Sequence, residues 1–578
     1  MISKWNVLPI TSSNQDAEAR LAGMFPKSRA IARLLVLRGI TTREEVNRFF
    51  NPSLSQLPDP FLMRDMEKAV GRLNKALGAK EKVMVYGDYD VDGTTAVALV
   101  YRYLQNFYSN LVYYVPTRDD EGYGISKQSI DYAASIGVKL IIVLDCGIKA
   151  VDEIAYAKAQ GIDFIVCDHH VPDEVLPDAA AILNPKLKDD KYPYKDLSGC
   201  GVGFKFMQAF SKSNGIGDLY GLDSLLDLLV VSIAADIVPI TGENRVLAYY
   251  GLKRLNANPS VGLRSIIRLC GLSNREITIS DIIFKIGPRI NASGRMQSGL
   301  ESVELLVTKD PSEAYEISKT IDQYNKDRKE LDRQITEEAN TIIEDHIQHI
   351  KDKRPIVIYN RQWHKGIIGI VASRIAELYF RPSVVLTYAD DGIVIGSSRS
   401  VRGFDIYSAI KSTRDLLETF GGHTNAVGLS LKEENIGEFR RRLELYVEQH
   451  ITLDQVTPQI DVDCELDFGE INSDFLKYLR QFNPFGPGNQ KPVFVTRGVY
   501  DFGTSKLVGR NQEHIKFELV DSKSDNIMNG IAFNMHQYFD YIKQHKPFDI
   551  CYTIEENKHR NSSSVQLQIK GIRIPADD

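Results

Sequence analysis

The sequence predicts a multidomain α/β protein: a parallel-sheet domain, a long connecting helix, a second α/β domain and a C-terminal β-barrel. Three observations carry that expectation. Continuous apolar runs alternate with helical segments between about residues 80 and 300, as strands buried on both faces do. A capped pattern of apolar residues at three/four spacing then runs from 311 to about 349. Finally, short strand-like segments bounded by turn residues fill 456–578. At 578 residues the chain is too long for one ordinary domain.

Residues 1–60 read as an N-terminal helical extension, with 29–38 amphipathic and Asn51-Pro52 closing the segment. The first α/β domain is expected over 61–308. Its strands are 83–87, 111–115, 139–144 and 163–167, with helices near 94–107, 126–136 and 150–160. Residues 225–236 form a mostly buried helix whose last turn delivers Asp236. Asp310-Pro311-Ser312-Glu313 then combines an N-cap, a proline at the first helical position and a capping glutamate. The helix it opens, assigned 309–350, is charged on its outer faces and suits a strut between domains. The second α/β domain, 351–455, has strands near 356–359, 384–387 and 393–397. In 456–578, strands at 493–499, 514–520, 527–533, 548–554 and 564–572 favour a small barrel or sandwich.

Composition excludes several classes. No uninterrupted apolar run reaches about 18 residues and the N-terminus lacks a signal-peptide pattern, so no membrane association is expected. Six scattered cysteines with no Cys-x-x-Cys pair argue against a zinc knuckle and a disulfide framework. Buried thiols in a reducing cytoplasm are the plain reading. The net charge of −6 weighs little against a nucleic-acid partner, because acidic metal ligands add to it and a basic groove is local.

The chemistry concentrates where apolar strands end. Val83–Gly87 runs into Asp88, Asp90 and Asp92; Leu144 into Asp145; Cys167 into Asp168, His169 and His170. One aspartate after a strand is commonly a helix cap. Several crowded carboxylates repel one another and resist burial, so a bound cation is the simplest way to make them favourable. Oxygen donors with one or two imidazoles suit Mn²⁺ or Mg²⁺ better than a structural zinc. Two such ions can activate a water and steady the leaving oxygen of a phosphoester. Ser397, Arg399, Arg402 and the Gly421-Gly422-His423 turn suggest a phosphate pocket, which Arg118, Arg289 and Arg295 could meet across a cleft. In the last segment Lys506, Arg510, Lys516, Lys543 and Lys546 are interleaved with Phe502, Phe517, Phe533, Tyr538 and Tyr541. That mixture suits a strand-tracking surface or, for the aromatics, barrel core.

Gly87-Asp-Tyr-Asp-Val-Asp-Gly93, Leu144-Asp145-Cys-Gly147, Asp168-His169-His170 and Asp236 resemble the four ordered motifs of the DHH phosphoesterases. Pro116-Thr-Arg118, Glu121-Gly-Tyr-Gly124, 287–295, Trp363-His-Lys-Gly366, Ser397-Ser-Arg399, Gly421-Gly-His423 and Phe485-Gly-Pro-Gly-Asn489 extend the resemblance, within that group, to the RecJ family of single-strand-specific 5′→3′ DNA exonucleases. Ala426-Val427 and Ala292-Ser293 stand where that family would repeat Ala-Ala. DHH pyrophosphatases carry a histidine where Tyr86 stands. The resemblance implies a DHH domain, a DHHA1 domain and an OB-fold, with two Mn²⁺ or Mg²⁺ ions. It places Asp90 and Asp145 on one ion, and Asp92, Asp145, His169 and Asp236 on the other. Asp88 and His170 would steady the set, direct ligation by Asp88 remaining open, and Asp168 would orient the histidine loop. It further implies release of 5′-mononucleotides from single-stranded DNA in recombination and repair, by a cytoplasmic monomer working with a helicase and a single-strand binding protein. The alternatives are a nanoRNA or cyclic-dinucleotide phosphodiesterase of the same superfamily, and a non-catalytic replication scaffold.

Overall fold

The computed structural model describes every residue except 1–3, 27, 119, 345–352, 525, 560–561 and 576–578. By contacts the chain divides into two units. One joins Pro58–Val238 to Tyr250–Pro458, and the other joins Met1–Leu57, Pro239–Tyr249 and Gln459–Asp578.

In the first unit, five parallel strands lie in the order Leu111–Tyr114, Lys82–Gly87, Val138–Leu144, Asp163–Cys167, Ala181–Leu183. Numbered along the chain this is 2-1-3-4-5, a doubly wound arrangement whose crevice opens at the carboxyl ends of strands 1 and 3. Those strands are Lys82–Gly87 and Val138–Leu144, the two that run into Asp88 and Asp145. Register makes the convergence tight: Gly87 pairs with Leu144 and Leu144 with Cys167, so Asp88, Asp145 and Asp168 leave the sheet at one level. The helix Val91–Leu104 is buried along nearly its whole length, matching its apolar sequence. Among the elements not legible in the sequence are the three-residue edge strand Ala181–Leu183 and the helix Gly199–Ser213, whose N-terminus faces the acidic loops.

The long helix Pro311–Glu344 follows its capping signal, and its expected continuation to about 349 lies outside the described residues. It is tied at both ends. Arg289 pairs with its Asp322 at 2.8 Å, while Arg374 and the Trp363 indole donate to its Asp332 and Glu338 at 2.7 Å each. The second sheet is mixed, in the order Leu417–His423, Ala426–Lys432, Ile393–Arg399, Ser383–Tyr388, Ile356–Tyr359.

The second unit contains a closed barrel. Phe494–Asp501, Phe548–His559, Ser562–Arg573, Met528–Ala532 and His514–Val520 follow one another, and Val520 pairs back to Tyr500. The N-terminal residues, set apart in the sequence as an extension, share this unit's core. Ile31, Leu34 and Leu35 are buried with Phe475, Phe482 and Phe494. Arg29–Leu37 buries six of its nine residues, more than one amphipathic face covers, and so needs apolar partners on several sides.

Candidate metal centre

Asp88, Asp145, Asp168 and His169 are all buried, and Asp236 caps the end of the helix Leu226–Ala235 beside them. Asp145 adopts φ 61°, a left-handed conformation that aspartate tolerates better than most residues. Its carboxylate packs where a Cβ on Gly199 would come within 2.5 Å of the Asp145 Cβ and 2.7 Å of Oδ1. Gly93 is equally constrained, since a Cβ there would lie 2.3 Å from the Asp88 carbonyl oxygen.

His169 Nε2 sits 3.2 Å from Asp145 Oδ1, 3.6 Å from Asp236 Oδ2 and 3.8 Å from Asp92 Oδ2. Two overlapping groups place their donor atoms within 4.8 Å of one another: Asp145, His169 and His170, and Asp92, His169 and Asp236. Burial, then the neighbouring carboxylates, pushes Asp145 far above the usual carboxylate range and Asp236 up to about 8. Asp88 and Asp90 are raised by the same causes. Burial holds His169 below its ordinary value, favouring the neutral imidazole that ligates metals.

Buried Asp88 Oδ1, Asp145 Oδ1 and both His169 ring nitrogens make no hydrogen bond. Orphaned polar atoms of this kind demand an explanation. A pair of hard divalent cations supplies one, so the residues present fit the group the sequence implied. Asp92, by contrast, is well anchored: Gly199 N (2.6 Å) donates to Oδ2, and Cys200 N (2.9 Å) and Ser232 Oγ (2.6 Å) donate to Oδ1. Its Oδ2 lies 3.8 Å from His169 Nε2. Asp168 turns away to hold the histidine loop, accepting from His169 N, His170 N and His170 Nδ1. Burial alone would raise it, but the bonds from His170 and Ile148 N bring it down to about 2. Asp168 in turn raises the His170 pKa against that residue's own burial.

A cavity of about 370 Å³ adjoins this cluster, lined by Asp88, Asp90, Arg118, Arg295, Ser397 and Arg399 among others. Arg399 donates to Ser373 Oγ, Ser397 Oγ and Ser398 O, which leaves Nη2 without a protein partner among the described residues. Burial lowers its pKa and no carboxylate compensates. Arg295 is lowered to about 10 by burial and then by Arg118, and donates to Gly366 O. His423 is exposed and is not among the residues that line the cavity; burial, then Arg399 and His170, lowers its pKa. Arg289 is not part of this lining; its guanidinium is committed to Asp322 and Lys285 O.

Gly421-Gly422-His423 is not a turn but the end of a strand, with His423 paired to Ala426 and the reversal at Thr424-Asn425. Gly422 has φ 150° and would place a Cβ 2.2 Å from Ala426 O, so the glycine serves the hairpin's close approach. Sequence reasoning missed Tyr89, Tyr123, Asn291 and Lys365 as lining residues. Their signal was present in the Asp-Tyr-Asp, Glu-Gly-Tyr-Gly, Arg-Ile-Asn and Trp-His-Lys-Gly motifs. Tyr86 hydrogen-bonds to Gly124 O, fixing the loop that carries Tyr123.

Residues 82–233 match the DHH family N-terminal domain, 352–449 the DHHA1 domain and 462–571 the RecJ OB domain. The chain is 35% identical over 563 residues to the single-stranded-DNA-specific exonuclease RecJ of Bacillus subtilis, covering 97% of this chain and 70% of that one. This chain belongs to the RecJ family. RecJ of Haemophilus influenzae is 33% identical over 559 residues, 94% of this chain and 96% of that one. The Mn²⁺ complex of RecJ from Thermus thermophilus has the same fold, with a TM-score of 0.84 at 24% identity, over 100% of this chain and 80% of that one. An exonuclease RecJ bound to manganese is 29% identical with a TM-score of 0.60, over 71% of this chain and 99% of that one.

Proposed function

We propose that this RecJ-family protein is a metal-dependent exonuclease that degrades single-stranded DNA from its 5′ end and releases 5′-mononucleotides. The observation that carries the reading is one cavity lined both by Asp88 and Asp90 of the acidic cluster and by Arg118, Arg295 and Arg399. Asp90, Asp92, Asp145, His169 and Asp236 would hold two Mn²⁺ or Mg²⁺ ions, with Asp88 and His170 beside them. When bound, the ions supply Lewis-acid polarisation of a phosphoester and a more acidic water.

The chain's own groups do the rest. Arg399, held flat by Ser373 and Ser397, presents a free N–H to a terminal phosphate. Arg118 and Arg295 offer charge to the phosphate nearer the acidic cluster, and the buried setting strengthens their pull on charge that grows in the transition state. His170, oriented by the contact of its Nδ1 with Asp168 Oδ1 at 2.8 Å, turns its other ring nitrogen to Tyr123 OH at 3.5 Å and so orders the edge of the acidic cluster. The cavity's volume suits about one nucleotide, which favours an end over a duplex. Bacillus subtilis and Haemophilus influenzae RecJ are named for the same single-strand specificity. A matching OB domain favours long strands over cyclic dinucleotides. A monomeric state, cytoplasmic residence and cooperation with a helicase and a single-strand binding protein complete the reading.

Digestion of 5′- and 3′-labelled single strands and of blunt duplex, with Mn²⁺, Mg²⁺ or EDTA, tests it. Immediate release of labelled mononucleotide only from the 5′-labelled single strand, abolished by EDTA, is expected. Release first from the 3′ label, or equal attack on duplex, would contradict it.

A further inference from the structure

The helix Val91–Leu104 opens directly behind the Asp88–Asp90 loop, and a helix leaves its first N–H groups without partners of its own. Asp90 caps the start in the usual way, its Oδ1 accepting from Gly93 N at 3.0 Å. Val91 N is satisfied from elsewhere: it donates to Asn291 Oδ1 at 3.0 Å, 200 residues along the chain. The helix that carries Asn291, Gly287–Met296, meets the acidic loop backbone to backbone, since a Cβ on Gly294 would come within 2.6 Å of Tyr89 O. A Cβ on Gly299 would likewise lie 3.0 Å from Tyr89 Cα. That helix is itself fixed. Ser293 Oγ and Ser302 Oγ lie 2.6 Å apart, and both reach Ile290 O.

The contact with Val91 decides which way the amide faces. A backbone N–H can meet only the oxygen of a side-chain amide, so Nδ2 turns away from Val91. Among the described residues Nδ2 has no protein partner, and Asn291 lines the cavity that also holds Asp88, Asp90, Arg118 and Arg295. An unpaired donor on a fixed amide in that cavity calls for an acceptor. The non-bridging oxygens of a phosphodiester are acceptors only. A neutral donor also suits the place, because it adds no positive charge to repel cations held by the neighbouring carboxylates.

We propose that Asn291 is a phosphate-contacting residue: its Oδ1 anchors the amide on Val91 N, and its Nδ2 donates to a non-bridging oxygen of the phosphate that is cut beside Asp88 and Asp90. The inference rests on the exonuclease reading above and adds a contact which that reading does not require. Anchored to the helix start behind the acidic loop, the donor needs no reorganisation as charge grows on the phosphate.

Two substitutions in the full chain separate the two ends of the amide. Asn291→Asp is nearly isosteric and keeps an acceptor for Val91 N–H but loses the donor, whereas Asn291→Leu loses both and adds no charge. Circular dichroism establishes folding, electron paramagnetic resonance of free Mn²⁺ gives metal affinity, and kcat is measured on a single strand at saturating Mn²⁺. The expected result is a kcat lowered about a hundredfold or more in both variants, with Mn²⁺ affinity unchanged in Asn291→Asp. If Asn291→Leu does not fold, Asn291→Asp alone decides. An unchanged kcat in either folded variant would overturn the phosphate contact and leave the exonuclease reading standing. Lost Mn²⁺ affinity in Asn291→Asp, or loss of fold in both variants, would give the amide a purely structural role and overturn it too. No cleavage of single strands by the unsubstituted chain would overturn the exonuclease reading and this inference with it.

Discussion

Asp92 and Asp145 are both buried, yet they are held in opposite ways. Asp92 accepts from two backbone N–H groups at the start of Gly199–Ser213 and from Ser232, so much of its charge is compensated within the protein. Asp145 keeps an uncompensated Oδ1 and faces four other carboxylates. Asp145→Ala is therefore expected to abolish hydrolysis while leaving the metal-free protein at least as stable, because a repelling buried charge is gone. Substantial cleavage in saturating Mn²⁺ would show that Asp145 is dispensable. Arg399→Ala should reduce the preference for 5′-phosphate over 5′-hydroxyl ends by roughly 10–100-fold, from a lost charge-assisted contact of about 1.5–3 kcal/mol. Rates on matched oligonucleotides measure it, and an unchanged ratio would remove Arg399 from end recognition. Arg289→Met should behave differently from Arg295→Met. The first breaks the tie to Asp322 and should lower Tm with little change in cleavage, and the second should weaken cleavage itself. Melting curves beside rate measurements on both variants distinguish the two.

At the level of elements, the parallel strands were legible because burial on both faces writes a continuous apolar run, and their carboxyl ends because aspartates follow at once. The long helix was legible from its Asp310-Pro311 opening. What escaped was shaped by contacts distant in sequence. Ala181–Leu183 is too short to carry a pattern. The hairpin Leu417–His423/Ala426–Lys432 hides because its first strand carries two glycines just before its last residue, and glycine pairs read as a turn. Arg289 and Arg295 look alike in sequence, and only the position of Asp322 on another helix separates them. Among the interleaved aromatics Phe517 is barrel core, whereas Phe502 and Phe533 are about half exposed and available to stack on bases. The loop Asp88–Asp90 depends on two glycines, since a Cβ on Gly294 would come within 2.6 Å of Tyr89 O, as one on Gly93 would approach Asp88. Gly93→Ala should displace that loop and cost more activity than stability, measured by comparing Tm with the rate in saturating Mn²⁺.

For the whole molecule, the division into units changes what truncation means. Removing 459–578 would strip core partners from Ile31, Leu34 and Leu35 and the acceptors Gln481 O and Phe482 O from Arg245. An isolated 1–458 fragment is expected to expose apolar surface and aggregate, visible as dye binding and a loss of soluble yield; a well-behaved fragment would show that the shared core is dispensable. Metal should stabilise the intact chain, because ions that bind the folded state alone add about 2.7 kcal/mol at a hundredfold excess over Kd. The central claim, that two ions and a strand's 5′ phosphate meet in one cleft, is tested most directly by anomalous diffraction from crystals grown with Mn²⁺ and a short non-hydrolysable single strand. Two Mn²⁺ peaks among Asp90, Asp92, Asp145, His169 and Asp236, with the terminal phosphate against Arg399, is the expected result. Metal bound elsewhere, or a 3′ end in that cavity, would contradict it.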